Sequence, residues 1–140
     1  MKITITEVKN ASLISISGRI DSDTSPEVAR AFQSVQEQGH YYILVDMGGL
    51  EYISSATLRA LMAAQRASKR NGGEVVLLRV PESIRNVLDM AGLVELYKIV
   101  DDPSTLPELE GVQLEGRLAV VFSPYDISCA MENAASLDFR

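Results

Sequence analysis

Polar and apolar residues alternate over residues 2–8, with Ile3, Ile5 and Glu7 on one side and Thr4, Thr6 and Val8 on the other. A period of two predicts a half-buried strand. Lys9-Asn10 reads as a turn, and Leu13-Ile14-Ser15-Ile16-Ser17 as a second strand ending at Gly18, so the two form an antiparallel hairpin. The period then changes. Ser25-Pro26-Glu27 offers an N-cap serine, a proline at the first helical position and an acid in the first turn. Val28, Ala31, Phe32 and Val35 follow at i, i+3, i+4 and i+7, which gives one apolar helix face that stops near Gln38-Gly39.

Tyr42 to Val45 is rich in strand formers and does not alternate, as expected of a central strand covered on both faces. It ends at Asp46 and leads through a Gly48-Gly49 turn to Ser54 and Ser55, which open a helix running to about Arg70. Leu58, Leu61, Met62 and Gln65 line that helix, and Asn71-Gly72-Gly73 ends it. Glu74 to Leu78 is a fourth strand. Pro81 opens a third helix with Ile84, Val87, Leu88 and Ala91 on one face, Gly92 closes it, and Tyr97 to Val100 is a fifth strand.

The order β-β-α-β-α-β-α-β predicts an α/β fold: a mixed, mostly parallel sheet with helices packed against it. Residues 1–102 make this domain. From Pro103 to residue 117 two prolines and two glycines among acids read as a linker. Leu118 to Phe122 is a candidate sixth strand and Ile127 to Ala135 a candidate short helix. The extension 103–140 is too small for a core of its own, so it either packs on the first hundred residues or is loosely ordered.

The chain has 140 residues and a net charge of −6, which argues against nucleic acid or an anionic membrane surface as partner. The single cysteine, Cys129, cannot form an internal disulfide and suits a reducing compartment. No apolar run reaches the roughly 18 residues of a membrane span, so no membrane insertion and a cytoplasmic location are expected. Catalysis is not expected either. Gly48-Gly49 and Gly72-Gly73 lack a following Gly-Lys-Ser/Thr, no Gly-x-Ser-x-Gly elbow occurs, and one histidine with one cysteine cannot build a His/Cys metal site. No cofactor is expected.

The candidate chemistry lies at Ser54-Ser55. A helix N-terminus carries unpaired N–H groups and the positive end of a dipole, so a serine there can cap the helix or carry a phosphate. Asp21 and Asp46 both follow strands that lead into helices, at the end of an open α/β sheet where partners bind. Each could equally be a turn-stabilising aspartate bonded to its own backbone.

Gly18-Arg19-Ile20-Asp21, Leu44-Val45-Asp46-Met47-Gly48-Gly49-Leu50, Tyr52-Ile53-Ser54-Ser55-Ala56, Leu58-Arg59, Gly72-Gly73 and Val87-Leu88-Asp89-Met90-Ala91-Gly92-Leu93 together resemble the STAS domain of bacterial anti-sigma-factor antagonists. The resemblance covers about residues 1–102. It implies a phosphorylated serine at the start of the second helix, here Ser55, with Asp21, Ser54, Ala56, Thr57 and Arg59 in the partner-binding surface. It also implies an anti-sigma factor with serine kinase activity, of the GHKL type, as partner, and a separate phosphatase acting on the phosphoserine. The chain departs from the family pattern at Ser54, where many members have an acid, and at Thr57, where glycine is usual. STAS-like domains also serve as non-phosphorylated adaptor subunits of lipid-transport ATPases and stress-signalling complexes, the alternative that the resemblance leaves open.

Overall fold

The computed structural model describes residues 1–112. Strands β1 (Lys2–Val8) and β2 (Ala11–Ile20) form the antiparallel hairpin, with Val8 opposite Ala11. The tight turn between them is possible because Asn10 takes a left-handed conformation, φ 61°, which Asn tolerates better than most residues. Helix α1 (Ser25–Glu37), strand β3 (Tyr42–Ile53), helix α2 (Ser55–Arg70), strand β4 (Glu74–Leu78), helix α3 (Glu82–Met90) and strand β5 (Lys98–Val100) follow. The sheet order is β1-β2-β3-β4-β5, antiparallel between the first two strands and parallel thereafter. This is the mixed, mostly parallel α/β sheet that the residue pattern predicts.

The three helices cover one face. Val28, Phe32 and Val35 of α1, Leu61 and Ala64 of α2, and Ile84 and Leu88 of α3 pack with Ile14, Ile16, Ile43, Val45, Val75 and Leu77 of the strands. The second face carries a smaller cluster of Ala11, Leu13, Leu44, Val76 and Leu78, closed by Leu109. Two short 3-10 turns, Pro103–Thr105 and Pro107–Leu109, bring Leu106, Leu109 and Val112 onto this cluster. Residues 103–112, read from sequence as the start of a linker, therefore pack against the sheet. Burial on both faces explains why β3 and β4 read as continuous apolar runs. The candidate strand 118–122 and helix 127–135 lie outside the described residues.

Several boundaries differ from the sequence reading. β2 runs on past Gly18 to Ile20. The helix α1 begins at Ser25 with Thr24 as its N-cap, so Ser25 is the first helical residue and not the cap. Most consequential, β3 does not end at Asp46. It continues through Gly48-Gly49 to Ile53, and its far half pairs with the far half of β2, Ser17 with Gly49, Arg19 with Tyr52 and Ile20 with Ile53. The register slips twice along the way, between Ser15 and Ser17 and between Gly18 and Arg19. The two glycines serve close approach and make no turn. A Cβ on Gly48 would stand 2.6 Å from the guanidinium carbon of Arg79, and one on Gly49 would stand 2.7 Å from the Cβ of Ser17.

Candidate functional site at the start of the second helix

Because Ile20 pairs with Ile53, Asp21 and Ser54 leave the sheet side by side from neighbouring parallel strands, whose axes are about 5 Å apart. The chain turns into α2 at Ser54, which has extended backbone angles (φ −93°, ψ 167°) and a buried side chain. Its hydroxyl accepts the N–H of Thr57 at 3.3 Å, the usual N-cap bond to the third helical residue. The Ser54 and Thr57 hydroxyls lie 3.1 Å apart and share a hydrogen. Ser55 is the first helical residue and is exposed, and among the described residues its hydroxyl has no side-chain or backbone partner. One serine therefore caps the helix, while its neighbour presents a free hydroxyl beside the positive end of the helix dipole.

Of the other residues expected at the partner surface, Ala56 is half-buried and Arg59 is exposed one turn further along. Ser54 and Thr57 are turned inward, at 8% and 1% exposure. They shape the surface from beneath by fixing the first turn. Thr57 takes ordinary helical geometry, so no glycine-only conformation is demanded at this position.

Asp21 is exposed and holds the loop ahead of α1. Its Oδ1 accepts the N–H groups of Asp23 and Thr24, both at 3.0 Å, and the Thr24 hydroxyl at 3.1 Å. The Thr24 hydroxyl oxygen in turn accepts the Asp21 N–H at 3.0 Å. Bonds from Thr24 to the charged carboxylate, backbone first, lower its pKa from the ordinary aspartate value. The turn-stabilising arrangement is thus present, and it leaves the carboxylate on the surface next to the start of α2.

Asp46 lies elsewhere. It sits inside β3, 3% exposed, with Arg79 paired to it in a two-pronged contact: Nε to Oδ1 at 2.8 Å and Nη2 to Oδ2 at 2.7 Å. Gly48 N–H also donates to its Oδ1 at 3.2 Å. The expectation that Asp46 stands at the sheet end with Asp21 is corrected by the length of β3, which carries the chain seven residues past it to Ile53.

Two residues at this end escaped the sequence reading as site candidates. The Arg19 guanidinium lies over the ring of Tyr52, 4.6 Å from its centroid, and Tyr52 is 42% exposed. Their signal was an apolar ring and a cation placed opposite each other, visible only once the strand register is known. Neither of the two described cavities is lined by residues 54–59. Among the described residues no group of three or more His, Cys, Asp and Glu could hold a metal ion. No described helix is long and apolar enough to cross a membrane.

The fold and this surface define a small α/β domain with an exposed serine at the start of its second helix. The chain belongs to the STAS family: the model described as "Mlab, STAS domain" matches residues 3–101. It is 25% identical over 114 residues to the anti-sigma F factor antagonist of Paenibacillus polymyxa, covering 80% of this chain and 97% of that one. Among solved structures it resembles an anti-sigma factor antagonist from Mycobacterium paratuberculosis, with TM-score 0.68 and 20% identity over 79% of this chain and 92% of that one. It also resembles the Bacillus cell fate determinant SpoIIAA in its phosphorylated form, with TM-score 0.61 and 16% identity over 74% and 96% of the two chains.

Proposed function

We propose that this protein is an anti-sigma-factor antagonist: it binds an anti-sigma factor that is also a serine kinase, and phosphorylation of Ser55 releases it. The observation that carries the reading is the division of labour between Ser54 and Ser55. With the cap bond made by the buried Ser54, the exposed Ser55 hydroxyl can enter a kinase site without unfolding the helix. A phosphate there adds about −1.5 to −2 charge and three acceptor oxygens. The dipole and the N–H groups of the first turn tolerate that charge, and α2 has no acidic residue in its first turn to oppose it. The domain therefore stays folded, and the cost falls on the partner, which must desolvate a dianion or leave. Asp21, Ala56 and Arg59, shaped by Ser54 and Thr57, form the surface it leaves. The chain supplies no chemistry of its own in this scheme; the kinase brings ATP, and a separate phosphatase resets Ser55.

The test is mass spectrometry after incubation with ATP and the serine kinases of the host, with partner binding of Ser55→Asp and Ser55→Ala measured in parallel. One phosphate mapped to Ser55, loss of binding by Ser55→Asp and retained binding by Ser55→Ala support the reading. Equal kinase binding by Ser55→Asp and the unaltered chain would sink it. The second reading is a constitutive adaptor of a lipid-transport ATPase or stress-signalling complex, favoured by the absence of an acid ahead of Ser55. It requires unmodified protein in stoichiometric complex with such a partner when purified from the host.

A further inference from the structure

The parallel strands begin at the end of the sheet opposite Ser55, and a cavity of about 410 Å³ opens there. Glu7 and Asn10 of the hairpin, His40, Tyr41 and Tyr42 around the start of β3, and Asn71 after α2 all line it. Its volume falls in the range of small-molecule sites, about 300 to 1,000 Å³. Two of its walls are locked together, since a Cβ on Gly73 would strike the Tyr41 carbonyl.

Glu7 is a carboxylate held in place. His40 Nδ1 lies 3.0 Å from its Oε2, and the hydroxyl of the buried Ser12 donates to the same oxygen at 3.4 Å. A carboxylate only accepts, so Nδ1 carries the hydrogen. Both contacts fall on Oε2, and among the described residues Oε1 takes no hydrogen bond. Asn71 has the same polarity: its Nδ2 donates to the Ala67 carbonyl at 2.8 Å, which leaves Oδ1 as an acceptor. Tyr41 and Tyr42 supply rings. Burial, then the charges of Glu108 and Glu74, push the Tyr42 phenol above its ordinary value. Lys69 answers Glu74 at 3.8 Å, whereas Glu108 Oε1 is buried without a hydrogen-bond partner among the described residues. The described residues that line the cavity include no lysine or arginine.

We propose that this cavity binds a small primary ammonium ion, its charged nitrogen on Glu7 Oε1 and its apolar body against Tyr41 and Tyr42. The acceptors at Glu7 and Asn71 call for a ligand that donates N–H bonds, and a carboxylate in such a lining calls for positive charge. Tyrosine rings attract the same cation through their faces. An anion would meet the opposite field, from Glu7 at the wall and from Glu108 acting on Tyr42. Ser12 and His40 fix the carboxylate in advance, so little ordering of the protein is left for the ligand to offset. A free amine and the lysine side chain of a partner protein share this chemistry, and two probes tell them apart.

The site is independent of the Ser55 reading, because the whole length of β3 lies between them. Phenethylammonium is titrated into the full chain and followed by ¹H–¹⁵N correlation spectroscopy. Phenethyl alcohol, its uncharged counterpart, and Nα-acetyl-lysine amide are run beside it. The ammonium probe should give saturable shifts at the amides of residues 39–42 and 71–73, larger than any at residues 54–59. Glu7→Gln, an isosteric change at an exposed position, should weaken its binding about tenfold while the helix amides stay in place. Asn10→Asp adds a carboxylate to the lining and suits the left-handed backbone there, so it should tighten binding. Tighter binding of phenethylammonium than of the lysine amide assigns the cavity to a free amine, and the reverse order to a partner's lysine. Equal binding of the alcohol and the ammonium overturns the proposal, as does undiminished binding by Glu7→Gln. So does the absence of saturation by either cation below about 10 mM.

Discussion

Ser54 and Thr57 clasp the first turn of α2 from within: the Ser54 hydroxyl accepts the Thr57 N–H at 3.3 Å, and the two hydroxyls lie 3.1 Å apart. This clasp predicts unequal costs for two adjacent serines. Ser54→Ala should destabilise the protein by about 1 kcal/mol, the usual value of a lost N-cap. Ser55→Ala should stay within about 0.5 kcal/mol of the unaltered chain, as exposed substitutions do. Urea unfolding of both variants checks the ranking, and an equal loss for Ser55→Ala would make it a second cap.

Thr57 itself belongs to the same prediction. It is helical and 1% exposed, so its methyl is packed and its hydroxyl bonded. Thr57→Gly removes a buried methyl worth about 0.8 kcal/mol and places glycine in a helix. The expected result is a loss of roughly 1 to 2 kcal/mol in the same unfolding assay. A gain in stability would mean that the threonine strains the turn.

The periodic parts of this fold were legible in the residues: Val28, Ala31, Phe32 and Val35 mark the buried face of α1, and all four are buried. The far half of β3 was not, because Gly48-Gly49 carries the local signature of a turn. What makes those positions glycine is Arg79 and Ser17, both about thirty residues away along the chain. Such reasons are non-local and leave no periodic trace. The candidate site was partly legible for the same cause. Two serines before a helix could be recognised, but which one caps depends on the backbone angles at Ser54. The pairing of Arg19 with Tyr52 depends on a register that contains two slips.

Asp46 and Arg79 form a largely buried ion pair, their side chains 3% and 15% exposed. Removing one partner of such a pair strands the other, which typically costs about 3 to 5 kcal/mol. Arg79→Leu should therefore lower the unfolding free energy by roughly 3 kcal/mol. The double variant Asp46→Asn with Arg79→Leu should recover part of that loss, because no ion is left unpaired. Measuring the cycle decides the matter: a double variant worse than Arg79→Leu alone would show that Asp46 is held by its bond from Gly48 and not by the arginine.

Asp21 gives the loop before α1 a pH dependence of definite sign. Its folded pKa is lowered, chiefly by the bonds from Thr24, so the loop's stabilisation is present above the unfolded aspartate value and is lost as pH falls through the lower folded value. In a ¹⁵N-observed titration the Asp23 and Thr24 amides should hold their hydrogen-bonded shifts down through the ordinary aspartate range and move only below it. Asp21→Asn keeps an acceptor oxygen and should abolish that transition while leaving the loop in place. If the transition persisted in the asparagine variant, another acid would be responsible.

The Arg19–Tyr52 pair predicts where partner affinity resides under the antagonist reading. Both side chains are exposed, they stand opposite each other on β2 and β3, and Tyr52 is two residues ahead of the cap. Arg and Tyr are among the residue types enriched where interface energy concentrates, Tyr for its large rigid contact area and Arg for its many donors and its stacking on rings. Their mutual contact is worth at most about 1 kcal/mol at an exposed site, so folding should hardly notice its loss. Tyr52→Ala should therefore keep the thermal midpoint of the unaltered chain within a few degrees while weakening the kinase complex by about tenfold, about 1.4 kcal/mol. Arg19→Ala should weaken it as well, and calorimetric titration of both variants against the partner reads the effect. Undiminished affinity in both would confine the docking surface to the start of α2 and the Asp21 loop.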